Sequence, residues 1–170
     1  METLEAILTR RSVREYTPEP VPGELVHELL AGAMQAPSAG NQQPWHFVLV
    51  TDRRQLNALA GVLPYGKSLF ASPLGVAVCA DLELEQYPGF WVQDCSAATQ
   101  SLLMAAHAKG LGGVWLGVYP LEERVQGVRQ ILGLPGHVVP LCIVALGYPT
   151  AKSEPPVRRY DETRLHQDHW

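Results

Sequence analysis

Three guanidiniums and a hydroxyl crowd into RRSVREY at residues 10–16: Arg10, Arg11, Ser12 and Arg14. Arginine presents a planar fork of N–H donors and serine adds one more, which together suit a phosphate. A second stretch, APSAGNQQPWHFVLV at 36–50, is a polar loop that runs into a strand of apolar residues. A loop of that composition, held on a rigid strand, is a usual place for ligand contacts.

The charge pattern sharpens the first reading. The chain has 170 residues and a net charge of −4, so a general nucleic-acid binder is set aside. Its positive charge is nevertheless clustered, with Arg10, Arg11 and Arg14 near one end and Arg158, Arg159 and Arg164 near the other. Two such clusters in an acidic chain form an anion site if the ends meet in space, and solvated surface patches if they do not.

These residues need elements to position them. With 46% hydrophobic and 18% charged residues the chain reads as one globular domain. Apolar spacing predicts a short helix over 4–10 with Thr3 as N-cap, and a second over 22–35 with Pro22 in its first turn. Residues 38–44 are loop, and 47–50 and 74–80 are buried strands. Asp52 and Gln55 form a capping pattern for a helix over 53–61. The longest helix, 91–109, is apolar nearly all round, so it is buried within the domain or against a second subunit. A strand over 114–118, a helix through Leu121, Val125, Val128 and Leu132, and a strand over 138–146 interrupted by Pro140 complete the body. The result is a sheet covered by helices on both sides, followed by a polar tail that lies over the body or a partner.

Several motifs are weaker than they look. GLGGVWLG at 110–117 has the order helix, glycines, strand, which is the reverse of a dinucleotide-binding turn. Gly110, Gly112 and Gly113 are read as a helix-terminating turn, whereas Gly117, at a strand end, lets a planar group approach the backbone. His27, His46 and His107 read as packing or surface residues, and His166 with His169 is a poor metal site. No G-x-S-x-G or phosphate-loop pattern occurs. Cys79, Cys95 and Cys142 lie in apolar stretches, which fits a reducing compartment. The N-terminus lacks a secretory pattern, and prolines break the uncharged run at 130–151, so a cytoplasmic location is expected. Asp94 reads as structural, and Lys67 as an ordinary loop lysine.

Taken together, the chain resembles the nitroreductase family of FMN-dependent oxidoreductases. The likeness is carried by RRSVREYTPEPVP, by Pro37–Ser38 with Asn41, Gln43, Pro44 and Trp45, by GLGGVWLGVYP, and by the closing PPVRRYDETRLH. It implies an α/β (α+β) sandwich, a central, mostly antiparallel sheet flanked by helices, assembled as an intertwined homodimer. Residues 1–150 would be the FMN-binding domain and 151–170 a tail packed on the body or the partner subunit. FMN would lie at each of two subunit interfaces, touching Arg10, Arg11, Ser12 and Arg14, with Arg10 and Ser12 toward the phosphate and Arg14 toward the ring. Arg158 and Arg159 would close on the phosphate. Pro37, Ser38, Asn41 and Gln43 would reach the flavin from the other subunit. Leu116 and Gly117 would offer backbone at N5, and Lys67 would approach the N1/O2 edge.

The resemblance further implies NADH or NADPH as transient hydride donor, small acceptors such as nitroaromatics or quinones, ping-pong kinetics and no dedicated catalytic side chain. The alternatives it leaves are a specialised flavin enzyme of the same fold, either a dehalogenase or a flavin-fragmenting enzyme, and a non-catalytic FMN-binding protein. The chain departs from the family in three ways. Pro64 stands where many members have an asparagine, Gly117 where many have an acidic residue, and the region between Asp81 and Trp91 is short.

Overall fold

A computed structural model describes residues 1–151 and 159–170. Four strands form one antiparallel sheet in the order β1-β2-β4-β3: β1 Trp45–Val50, β2 Leu74–Asp81, β3 Gly112–Gly117 and β4 Val138–Gly147. The helices are α1 Thr3–Thr9, α2 Gly23–Ala33, α3 Arg53–Val62, α4 Trp91–Ala108 and α5 Glu122–Leu132.

The central strands read as unbroken apolar runs because both of their faces are covered. Alternate side chains of a strand point to opposite faces. Val76 and Val78 of β2, with Cys142, Val144 and Leu146 of β4, therefore join α2 and α4 through Leu29, Ala33, Ala98 and Leu102. Ala77, Cys79, Ile143 and Ala145 join α3 and α5 through Leu56, Leu59, Val125 and Val128. Burial pushes the Cys79 and Cys142 thiols up to about 12, and all three cysteines are free and buried.

Local structure follows the sequence with a few instructive differences. Asp52 caps α3 by accepting the Gln55 N–H at 2.9 Å. Pro22 sits one place outside α2 as its N-cap, and α1 begins at Thr3, with Glu2 in place of Thr3 as N-cap. Pro140 does not interrupt β4. Val78 pairs Cys142 while Cys79 pairs Pro140, so Leu141 is the extra residue of a bulge, and Pro140 stands beside it, where a strand tolerates proline. The carbonyl of Leu141 instead accepts the N–H groups of Val118 and Tyr119, at 3.1 and 3.0 Å.

Only Gly110 behaves as the expected helix stop, at φ 82°. Gly112 and Gly113 lie within β3, and a Cβ on Gly112 would come within 2.6 Å of Val13. This glycine therefore buys close packing rather than a turn. The described part of the tail, 159–170, is exposed throughout within one protomer.

Candidate functional site

The arginine-rich segment is clamped to the edge of the sheet. Arg10 ends α1, donating its N–H to the Ala6 carbonyl at 3.1 Å. Ser12 bridges Gly113 in parallel, and the Val13 N–H reaches the Gly113 carbonyl at 3.0 Å. Tyr16 bridges Pro149, and its buried hydroxyl lies 2.6 Å from the Val13 carbonyl and 3.1 Å from that of Ala145. The backbone of 12–16 is thus fixed while Ser12 and Arg14 stay exposed.

One arginine of the second basic cluster, Arg159, comes within electrostatic reach of the first. Burial, then the charges of Arg159 and Arg11, depress the pKa of Arg10, which places the last turn of α1 beside the tail. Like charges gathered in this way repel one another unless an anion shares them. His107 of α4 closes the same corner. Its ring lies 2.8 Å from the Thr9 hydroxyl, and burial followed by the Arg10 charge lowers its pKa. Arg158 falls outside the described residues.

Arg14 is the common wall of three adjoining hollows. One of about 320 Å³ is lined by Arg11, Ser12, Val13 and Thr150. A second, of about 680 Å³, lies against Tyr16, Pro64, Tyr65, Lys67 and Ser68. A third, of about 180 Å³, runs along Leu63, Pro64, Leu116, Gly117 and Arg124. The fold therefore gathers Arg11, Ser12, Arg14, Lys67, Leu116 and Gly117, which come from well-separated parts of the sequence.

Each wall has its support. Lys67 lies in a 3₁₀ turn, Gly66–Phe70. The Arg53 guanidinium fastens that turn by donating to the carbonyls of Leu69, Phe70 and Ser72 at 2.8, 2.9 and 2.6 Å. A Cβ on Gly117 would meet nothing within 4 Å, so its backbone faces open space. The Gly117 carbonyl accepts from the Arg124 guanidinium at 3.1 Å.

Three residues here carried no signal in the sequence: Arg53, Arg124 and Ser68. Ser68 is only 5% exposed, and its hydroxyl has no hydrogen-bond partner among the described residues. A buried hydroxyl without a partner is costly. This one belongs to a residue that borders the largest hollow, which fits a site built to receive a polar ligand.

The second stretch forms a rigid loop elsewhere. Gly40, Asn41 and Gln43 all have left-handed φ, at 53°, 59° and 47°. Asp94, buried at the start of α4, holds the loop by accepting the Ala39 N–H at 2.9 Å and the Gln42 amide at 2.6 Å. The Gln42 carbonyl oxygen in turn accepts the Gln86 and Tyr87 N–H groups at 2.8 and 3.0 Å. Ser38 accepts the Gln43 N–H at 3.0 Å, and the Gln43 amide donates to Asn41 at 2.8 Å. Pro37, Asn41 and Gln43 are left exposed. The loop leads into β1, whereas Leu116 and Gly117 lie on β3 at the opposite edge of the sheet. Pro37, Ser38, Asn41 and Gln43 line none of the three hollows.

The wider comparisons agree with this architecture. The Nitroreductase family model matches residues 7–65 and 69–148. A protein of Methanothermobacter thermautotrophicus, provisionally named NADH dehydrogenase/NAD(P)H nitroreductase, is 48% identical over all of this chain and 88% of its own. A solved structure of a provisionally named nitroreductase from Desulfovibrio desulfuricans in complex with FMN superposes with a TM-score of 0.84 at 30% identity, covering 99% of this chain and 98% of the other. An FMN-dependent nitroreductase from Clostridium difficile superposes with a TM-score of 0.90 at 26% identity, covering 98% and 99%. With the match extending over nearly the whole body and the same sheet and helices underneath, the chain belongs to the nitroreductase family.

Proposed function

We propose that this protein is an FMN-dependent oxidoreductase that passes a hydride from NADH or NADPH to small acceptors such as nitroaromatics or quinones, by a ping-pong mechanism. The observation that carries the reading is the convergence at Arg14. Arg11 and Ser12 lie at one side of it, Arg11 sharing with the tail's Arg159 an electrostatic effect on Arg10, and Lys67 and the open backbone of Gly117 lie at the other. The residues present suit a molecule with an anionic end and a planar end. Relatives whose names include FMN or NAD(P)H support the same reading.

FMN supplies the hydride chemistry when bound. The rest falls to this chain. Arg10, Arg11, Ser12, Arg158 and Arg159 would hold the phosphate. Arg14 and Lys67 would stabilise negative charge on the pyrimidine edge, as fixed cations do in a partly dry site. Leu116 and Gly117 would present backbone at the reacting edge, where the missing side chain of Gly117 leaves room for an acceptor.

The site is completed by a second copy of the chain. Pro37, Ser38, Asn41 and Gln43 sit at the far edge of their own sheet, and a two-fold partner would bring its loop to the Arg14 region. An apolar face on α1 is consistent with this, since Leu4, Ile7 and Leu8 are 65%, 54% and 60% exposed. The tail at 159–170, exposed in one protomer, would pack on that partner. Among the described residues no helix is long and apolar enough to cross a membrane.

The test is an anaerobic titration of FMN-loaded protein. NADH or NADPH should bleach the flavin absorbance, and a nitroaromatic or quinone should restore it. Bound FMN that responds to neither nucleotide would reduce the protein to a flavin binder. Protein that takes up no FMN would refute the reading altogether.

A further inference from the structure

The end of the sheet that carries the starts of β1 and β4 and the end of β2 holds a second cluster of chemically active side chains, apart from the hollows around Arg14. His46 is the second residue of β1, Asp81 the last of β2, Glu83 lies in the turn Leu82–Leu84, and His137 just precedes β4. The antiparallel register forces them together, since Trp45 pairs Ala80 and Asp81 pairs Val138. One Asp81 carboxylate oxygen, Oδ2, faces His46 Nε2 at 3.8 Å and His137 Nε2 at 3.9 Å. His137 Nδ1 faces a Glu83 oxygen at 3.8 Å. Donor atoms of Asp81, Glu83 and His137 all lie within 4.8 Å of one another, the one such group among the described residues.

These separations are informative. They exceed hydrogen-bond lengths. Within the Asp81, Glu83 and His137 group they are within reach of the roughly 3.4 Å that separates two ligands of a tetrahedral ion with bonds of about 2.0–2.2 Å, His137 offering one of its two nitrogens, while the exposed His46, which approaches Asp81 alone, must swing in to close the shell. The backbone beneath is already fastened. The Asp81 N–H donates to the Pro44 carbonyl at 2.8 Å, and the Leu82 N–H to the His137 carbonyl at 2.9 Å. Asp81 Oδ1 accepts the Glu83 N–H at 2.9 Å, which leaves Oδ2 turned toward the histidines. Asp81 is half-buried, so its carboxylate is held in place rather than swinging in solvent.

We propose that His46, Asp81, Glu83 and His137 form a binding site for a divalent transition metal of the Zn²⁺ type. Two imidazoles with two carboxylates favour such an ion over Mg²⁺ or Ca²⁺, which take all-oxygen shells. A dication also balances the two carboxylates, and one imidazole nitrogen from each histidine completes a four-ligand shell. Because Asp81 is tied to Pro44, and His46 follows Trp45, a bound ion would pin the base of the loop at 37–44. The site stands independently of the flavin reading.

Calorimetric titration of ZnCl₂ into the full chain tests this. A His166→Ala/His169→Ala background removes the tail histidines as competitors. One Zn²⁺ per chain is expected, with MgCl₂ giving no saturable heat. His137→Ala and Asp81→Asn should each weaken binding by about 10- to 100-fold, with circular dichroism unchanged. His46→Ala, on an exposed position of β1, serves should His137→Ala fail to fold, and the same loss is expected of it. Absence of saturable Zn²⁺ binding in the background protein, equal binding of Mg²⁺, or undiminished affinity in folded variants would overturn the proposal.

Discussion

Arg10 shows how a single residue acquires meaning from its surroundings. By type it is one of several arginines. In the fold its guanidinium is half-buried, faces Arg11 and Arg159, and has its pKa pushed down by burial and by those two charges. An anion placed there would relieve the repulsion. Arg10→Ala should therefore weaken FMN binding while leaving the fold intact. A charge-assisted hydrogen bond contributes about 1.5–3 kcal/mol, so the affinity should fall by roughly 10- to 100-fold. Flavin fluorescence titration reads this directly, and unchanged affinity would move the phosphate site elsewhere. Ser68 and Arg53 are the reverse case, since neither residue type announced a role. One is singled out by a buried hydroxyl without a partner, the other by three carbonyls gathered around its guanidinium.

At the scale of elements, the loop at 37–43 and helix α4 act as one unit. The loop has three residues in left-handed conformations, each of them strained except glycine. What holds it is the carboxylate of Asp94 at the helix start, where a negative charge is also favoured by the helix dipole. Asp94→Ala would leave the Ala39 N–H and the Gln42 amide buried without partners. The expected loss is about 2–4 kcal/mol. The same change at Asp52, an exposed cap with a single bond to Gln55, should lose about 1 kcal/mol. Urea denaturation of the two variants gives the comparison, and equal losses would show that Asp94 is no more than a cap. Helix α4 itself is covered largely by its own chain. Cys95, Ala98, Leu102, Leu103 and Ala106 are buried, while Ala97 and Met104 remain half-exposed.

For the whole molecule, assembly governs whether the site is complete. One protomer places the loop at 37–43 and the Arg14 region at opposite edges of the sheet, and leaves Leu4, Ile7 and Leu8 of α1 exposed along with Leu165 and Trp170 of the tail. A dimer that covers these surfaces should bury more than about 2,000 Å², the range of obligate interfaces. Light scattering of the FMN-loaded protein should give twice the 18.7 kDa chain mass. Ile7→Glu should lower both the dimer population and the flavin content. A stable, FMN-loaded monomer would show that one chain makes a complete site.

The sequence by itself determined the elements and the chemistry on offer. Unbroken apolar runs mark β2 and β4, and a nearly all-round apolar surface marks α4, each covered on more than one side, while the helical apolar period marks α5, which is covered on one, because burial imposes a pattern that local sequence must carry. The capping pair Asp52/Gln55, the arginine cluster and the rigid polar loop are local too, and were legible for the same reason. Only the tertiary structure decided the relations between distant segments. Pro140 reads as a break until the partner strand shows a bulge, and Gly112 as a turn until Val13 is found against it. His46 and His137 are scattered histidines until the sheet register sets both beside Asp81. The approach of Arg159 to within electrostatic reach of Arg10 likewise depends on where the chain ends lie, a non-local relation that composition and spacing do not encode.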